Sequence, residues 1–201
     1  MQCDINAQNK HGNTPLHVAC EWRWLDIVQL LVTSGCNVDI YNNCGHTPLT
    51  LAIKHNRMEI FIFLFSKDNV SFNVKTADTS ETPLHLACCC YHSDFALTLL
   101  NDQRYICSLD AVDKFGDTPL FNACRLGSIE IVQKLVAQPG CTRLMVNHIT
   151  KETPAHIACR NGQLDILKLL LAEGILNDMH VNRTLLSILL ATTSLKGLLI
   201  F

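Results

Sequence analysis

An all-α array of stacked helix–turn–helix units is the fold class this 201-residue sequence predicts. Three observations predict it. The dipeptide Thr-Pro recurs at Thr14, Thr47, Thr82, Thr118 and Thr153, at spacings of 33, 35, 36 and 35 residues. Each copy opens a similar phrase: TPLHVAC, TPLTLAI, TPLHLAC, TPLFNAC and TPAHIAC. A second apolar stretch then follows at helical spacing, as in Leu164, Ile166, Leu167, Leu170 and Leu171. A repeat period must be recognised first, because it decides the whole fold.

The first helix of each unit is written into its opening. Thr is a good helix N-cap, and Pro suits the first helical position, where an N–H is not needed. A turn follows, with Gly127 and Gly162 in the fourth and fifth units. The second helices are predicted in LDIVQLLVTSG, MEIFIFLFSKD, SIEIVQKLVAQ and QLDILKLLLAEG. A polar stretch returns the chain to the next Thr-Pro as a hairpin or loop. One such unit cannot bury its apolar faces alone, so stability comes from stacking on neighbours.

The phrase T-P-L-H-x-A and the period near 33 residues resemble the ankyrin repeat. The resemblance covers most of the chain and implies a curved solenoid of antiparallel helix pairs with β-hairpin or loop fingers on one side. The expected boundaries are a tail of a preceding repeat over 1–8, repeats over 9–41, 42–76, 77–112, 113–147 and 148–180, and a degenerate or truncated sixth over 181–201. Both ends therefore read as cut from a longer array, or as covered by something else.

Several positions depart from the family pattern. Ser80 and Lys151 stand where Gly12, Gly45 and Gly116 precede the Thr by two residues. Arg23, Asn56 and Tyr91 replace the glycine between the two helices, so distorted turns are expected there. The longer connections predict irregular fingers around Val70–Lys75, Gln103–Asp110 and Pro139–Val146. Phe61, Phe63 and Phe65 alternate as in a strand, but the phase set by Thr47 places them on a helix as core. Ile62 and Leu97 fall in the outward slot of Gln29, Gln133 and Lys168.

Composition narrows the function. The formal charge is −2, with 48% hydrophobic and 17% charged residues, which excludes a disordered chain. It also argues against nucleic-acid binding by bulk charge. Eleven cysteines with no secretory opening predict reduced thiols and an intracellular, cytoplasmic or nuclear, setting. There is no uninterrupted apolar run of about 18 residues, so no membrane span is expected. Leu185–Phe201 comes nearest and is interrupted by Thr192, Thr193, Ser194 and Lys196.

Chemistry-bearing patterns are few. His17 and Cys20, His85 and Cys88, and His156 and Cys159 repeat an H-x-x-C spacing that puts two candidate metal ligands on one helix face. A structural zinc needs four ligands, so these pairs read as structural: the histidine bonding near a hairpin, the cysteine as a small buried residue. Cys88-Cys89-Cys90 lacks an assembled base and oxyanion site for nucleophilic catalysis. No phosphate-binding loop, dinucleotide fingerprint or zinc-protease motif is present. The expectation is a non-enzyme with no cofactor and no metal.

The resemblance implies protein or peptide binding through finger tips and the concave ends of the first helices. Counted from each Thr, this points to Lys10, His11, Asn13, Glu21 and Trp22 in the first unit, and to Tyr41, Asn43, His46, Lys54 and His55 in the second. The third offers Thr79, Glu81, Cys89 and Cys90. The fourth offers Lys114, Phe115, Asp117, Arg125 and Leu126, and the fifth Glu152, Arg160 and Asn161. Across these slots, together with Asp78, cations and carboxylates balance, which suits a protein rather than a phosphate backbone. Trp22 reads either as a binding anchor or as a cap on the end of the stack. The partner's identity and the oligomeric state are left open. The alternative is a regulatory or targeting segment of a larger enzyme, receptor or channel.

Overall fold

The computed structural model describes residues 4–72, 74–90, 93–102, 104, 109–142 and 145–172. Among them run ten helices in five pairs: α1 Pro15–Glu21 and α2 Leu25–Thr33, α3 Pro48–Lys54 and α4 Met58–Phe65, α5 Pro83–Cys89 and α6 Asp94–Asn101, α7 Pro119–Leu126 and α8 Ile129–Ala137, α9 Pro154–Arg160 and α10 Leu164–Ala172. No strand occurs among the described residues. Each first helix packs on the next first helix, α1 on α3 through to α7 on α9. On the other side α2 meets α4, α6 meets α8 and α8 meets α10. Tyr91, residues 105–108 of the third finger and the expected sixth unit over 181–201 lie outside the described residues, as do residues 1–3.

Every first helix begins on the expected Thr in extended backbone with Pro at its first position. In the first, third and fifth units the Thr amide and hydroxyl bond the Nδ1 of the histidine three residues on. In the second unit Thr50 takes that place, its Oγ1 accepting from Thr47 N–H at 2.8 Å. Phe121 fills the slot in the fourth and offers no acceptor; its ring is buried instead. The apolar faces meet in one continuous core from Leu16 to Leu170.

At Arg23 and Asn56 the turns between helices are not distorted by the missing glycine. Arg23 (φ 65°) and Asn56 (φ 56°) adopt the same left-handed backbone as Gly127 and Gly162. Ser80 and Lys151 do likewise at φ 55° and 60°. Side chains in that region cost about 1–2 kcal/mol each, which the neighbouring stack supplies. Gly45 is a place where only glycine fits: a Cβ there would fall on the backbone of Ala77 in the next finger.

That close approach reflects how the fingers align. Each is closed at its base by a backbone bond, from Asn9 N–H to the Asn13 carbonyl (3.0 Å) through to Asn147 N–H and the Glu152 carbonyl (2.8 Å), with a second backbone bond across the turn. Neighbouring tips are then tied by Asn43 N–H to the His11 carbonyl, Ala77 N–H to Cys44 and Lys114 N–H to Thr79. At the finger bases Asn37 N–H donates to Asn6 Oδ1 at 2.8 Å, and Ser71 and Thr142 donate to Asp39 and Asp110.

The longer connections carry packing of their own. Phe72 lies 5.1 Å from Phe65, and the Arg104 guanidinium sits over both rings while donating to the Phe65 carbonyl. Phe61 and Phe65 are buried core as expected. Phe63 is only half-buried, because α4 turns it outward beneath the Lys67 ammonium, 4.3 Å from its ring.

Candidate protein-interaction surface

In the second, fourth and fifth units the C-terminal end of the first helix lies against the finger that leads into it. Lys54 Nζ is 3.1 Å from His46 Nε2, Arg125 pairs with Asp117, and Arg160 pairs with Glu152. These contacts join residues seven positions after the Thr to residues one position before it. Helix ends and fingers therefore share one inner face, and their mutual position is held by charge-assisted bonds. In the third unit the cation's place is taken by Cys89. Glu81 there accepts from Thr79 Oγ1 at 2.5 Å.

The structure separates the expected contact residues by exposure. Lys10, His11, Trp22, Tyr41, Asn43, Lys54, Cys89, Lys114, Phe115, Arg125, Arg160 and Asn161 are exposed. Asn13, Glu21, His55, Thr79, Glu81, Cys90, Leu126 and Glu152 are half-buried. His46 and Asp117 are buried. The carbonyl oxygens of His46 and Asp117 accept the Nε2–H of His17 (3.0 Å) and His85 (3.1 Å), and Asp117 Oδ1 accepts from Asn147 Nδ2 at 2.6 Å. Both are supports of the inner face rather than free contact groups. Part of the exposed set is also committed: Asn43 Nδ2 donates to the Lys10 carbonyl, and Asn161 Nδ2 to the Arg125 carbonyl.

Burial sets the titration of the ring and thiol groups. It is the main reason His46 is lowered to about 4, with the Lys54 charge adding to it. Burial also lowers His55, helped by Arg57 and Lys54 and opposed by Glu21. The Cys89 thiol is pushed up to about 11, chiefly by burial of its sulfur although the residue as a whole is exposed, and further by Glu81. Burial likewise raises Cys90. These thiols are poor nucleophiles at neutral pH.

The histidine of each H-x-x-C pair is engaged. His17 and His85 use both ring nitrogens on Thr amides and finger carbonyls, while Cys20 and Cys88 are fully buried. Among the described residues no group of three or more His, Cys, Asp or Glu side chains gathers to hold a metal. No disulfide joins the described cysteines.

Trp22 and Trp24 form an exposed aromatic pair. Their rings stack at 6.3 Å and 24°, and Trp22 is 62% exposed. Most of the Trp22 surface is thus open among the described residues. The left-handed Arg23 between them brings the rings together. The i, i+2 spacing of Trp22 and Trp24 across a replaced glycine is the sequence signal for this pairing. At the other end, Phe115 and Ile149 are exposed on neighbouring tips, linked through Asn147 Nδ2 to the Phe115 carbonyl.

Known proteins carry the same pattern. The family model described as ankyrin repeats (3 copies) matches residues 1–76 and 69–147, and the single ankyrin repeat model matches 150–182. The tyrosine-protein kinase HTK16 of Hydra vulgaris is 28% identical over 132 residues, covering 65% of this chain and 17% of its own length. Rabankyrin-5 of Mus musculus is 28% identical, covering 75% of this chain and 14% of itself. The human transient receptor potential cation channel subfamily A member 1 is 28% identical, covering 69% and 12%. The chain thus spans less than a fifth of the length of these relatives. Among solved structures, a chain in the complex of a predatory endopeptidase from Bdellovibrio bacteriovorus with its immunity protein superposes with a TM-score of 0.72. That match is 24% identical and covers 84% of this chain and 85% of the other.

Proposed function

The chain belongs to the ankyrin repeat family, and from that premise we propose that it is a non-catalytic scaffold whose inner face binds a protein or peptide. The observation that carries this reading is the locking of helix ends to fingers by Lys54–His46, Arg125–Asp117 and Arg160–Glu152. A surface held in place before binding loses little side-chain freedom on docking, which favours affinity. The exposed aromatics Trp22, Tyr41 and Phe115 supply contact area at small rotamer cost. The balanced charge favours a protein over a nucleic acid as ligand. We place the protein inside the cell, in cytoplasm or nucleus, on the strength of its many unbridged thiols. No described helix is long and apolar enough to cross a membrane.

A photo-crosslinking side chain placed at position 160 or at position 133 tests the face. Crosslinks from 160 and few from 133, on the outer side, support it. Equal yields from both would contradict it.

A second reading is favoured by one observation: the relatives are much longer proteins, among them a kinase and a channel. This segment would then regulate or target an activity located elsewhere in the polypeptide. Sequencing the full transcript separates the readings, since a catalytic or channel domain in the same open reading frame decides for the second.

A further inference from the structure

We propose that the outer face of α2 is a stacking face, covered in the working protein by a further helix pair of the same repeat type in the same polypeptide. The inference rests on equivalent positions along the array. Ile60, Phe95, Ile131 and Ile166 occupy one slot of the second helices and are each 2% exposed or less. Ile27 fills that slot in α2 with the residue type used in three of the others, yet is 43% exposed. Leu64, Leu99, Leu135 and Leu170 share another slot at 1% or less, while the equivalent Leu31 is only half-buried. Leu30, beside it, is 65% exposed.

An apolar stripe of this composition, identical in kind to surfaces buried elsewhere in the same molecule, continues an interface that the array already repeats. Two polar features extend the same match. Glu59 reaches back to Arg23 of the preceding unit at 3.1 Å, and Glu130 accepts from Ser93 Oγ at 3.2 Å. Asp26 stands at the equivalent position of α2 and faces outward. The finger that would follow the missing helices is also in register. Asn6 Oδ1 accepts from Asn37 N–H, and Gln8 Nε2 donates to the Tyr41 carbonyl at 2.8 Å. A second copy docking by its own α2 face would satisfy the apolar stripe but not the finger register or Asp26.

The test extends the chain by a duplicate of residues 12–35 joined ahead of Cys3, which keeps the Gly-Cys junction of Gly35-Cys36. Amide exchange in α1 and α2 is measured with and without the added unit. The same pair of proteins is made with Ile27→Asp and Leu30→Asp in the original copy only; both positions are exposed, so circular dichroism of the unextended variant should match wild type. Exchange at least tenfold slower on extension in the wild-type background, and less than twofold slower in the variant background, is expected. Equal slowing in both, no slowing in either, or an unextended dimer that the two substitutions dissociate would overturn the proposal.

Discussion

The Nε2–H of His17 donates to the carbonyl oxygen of His46 at 3.0 Å, while its Nδ1 accepts from the Thr14 amide at 3.1 Å. An amide can only donate, so the ring is the neutral Nε2–H tautomer. One side chain thereby caps its own helix and holds the next unit's finger. His85 repeats this with Asp117 and Thr82. Thr50 keeps the cap in the second unit and is too short for the tie. His85→Thr should therefore retain the cap and lose the tie, costing about 1–2 kcal/mol. Urea unfolding checks this, and unchanged stability would show that the inter-unit bond contributes nothing.

Stability should fall with acid in the histidine range. Burial lowers His17, His46, His85 and His156 from the ordinary value of 6.5, His46 to about 4. The unfolded chain then binds more protons than the fold below about pH 6.5, so stability is full above that pH and declines as pH falls towards 4. Thermal midpoints measured from pH 7.5 to 4.5 should drop steadily, and less steeply in His85→Thr. A flat profile would mean that these rings accept protons in place.

Left-handed side chains mark sites for gain. Ser80→Gly and Lys151→Gly should each stabilise by about 0.5–1 kcal/mol, since φ is 55° and 60°. Gly45→Ala should destabilise by more than 1 kcal/mol, because the added carbon meets Ala77. Denaturant midpoints of the three variants give the comparison directly.

Alkylation should rank the thiols by burial and pKa. Cys44 is exposed on a finger tip and should react first. Cys89, though exposed, should lag because its thiol is pushed up to about 11. Cys20, Cys88 and Cys124 are buried and raised, Cys124 to about 12, and should label only on unfolding. Timed labelling with mass spectrometry reads the order; early reaction at Cys88 would mean that the α5–α7 seam opens.

Much of the array was legible because its chemistry is local. Thr-Pro specifies a helix start, and the isoleucine and leucine slots of the second helices specify which side is buried. What stayed hidden depends on the neighbouring unit. Nothing in the residue type of Asp117 or His46 says that its carbonyl receives a histidine from the unit before and that it is buried for that reason. Arg23 in a left-handed turn was legible as a departure, but its consequence, the stacking of Trp22 on Trp24, was not. The placing of Arg104 over Phe65 and Phe72 depends on two fingers at once, which no periodicity encodes.

Protein binding at the inner face, with Trp22 as an anchor, is open to direct measurement. The most direct measurement compares Trp22→Ala and Gln133→Ala with wild type for capture of partners from cell lysate, alongside each variant's thermal midpoint. Truncating an anchor costs about 2 kcal/mol or more. Trp22→Ala should lose at least tenfold in capture at an unchanged midpoint, since its ring is largely exposed, while Gln133→Ala should behave as wild type. Normal capture by Trp22→Ala with a lowered midpoint would contradict the anchor role, and would make Trp22 a structural residue of the stack.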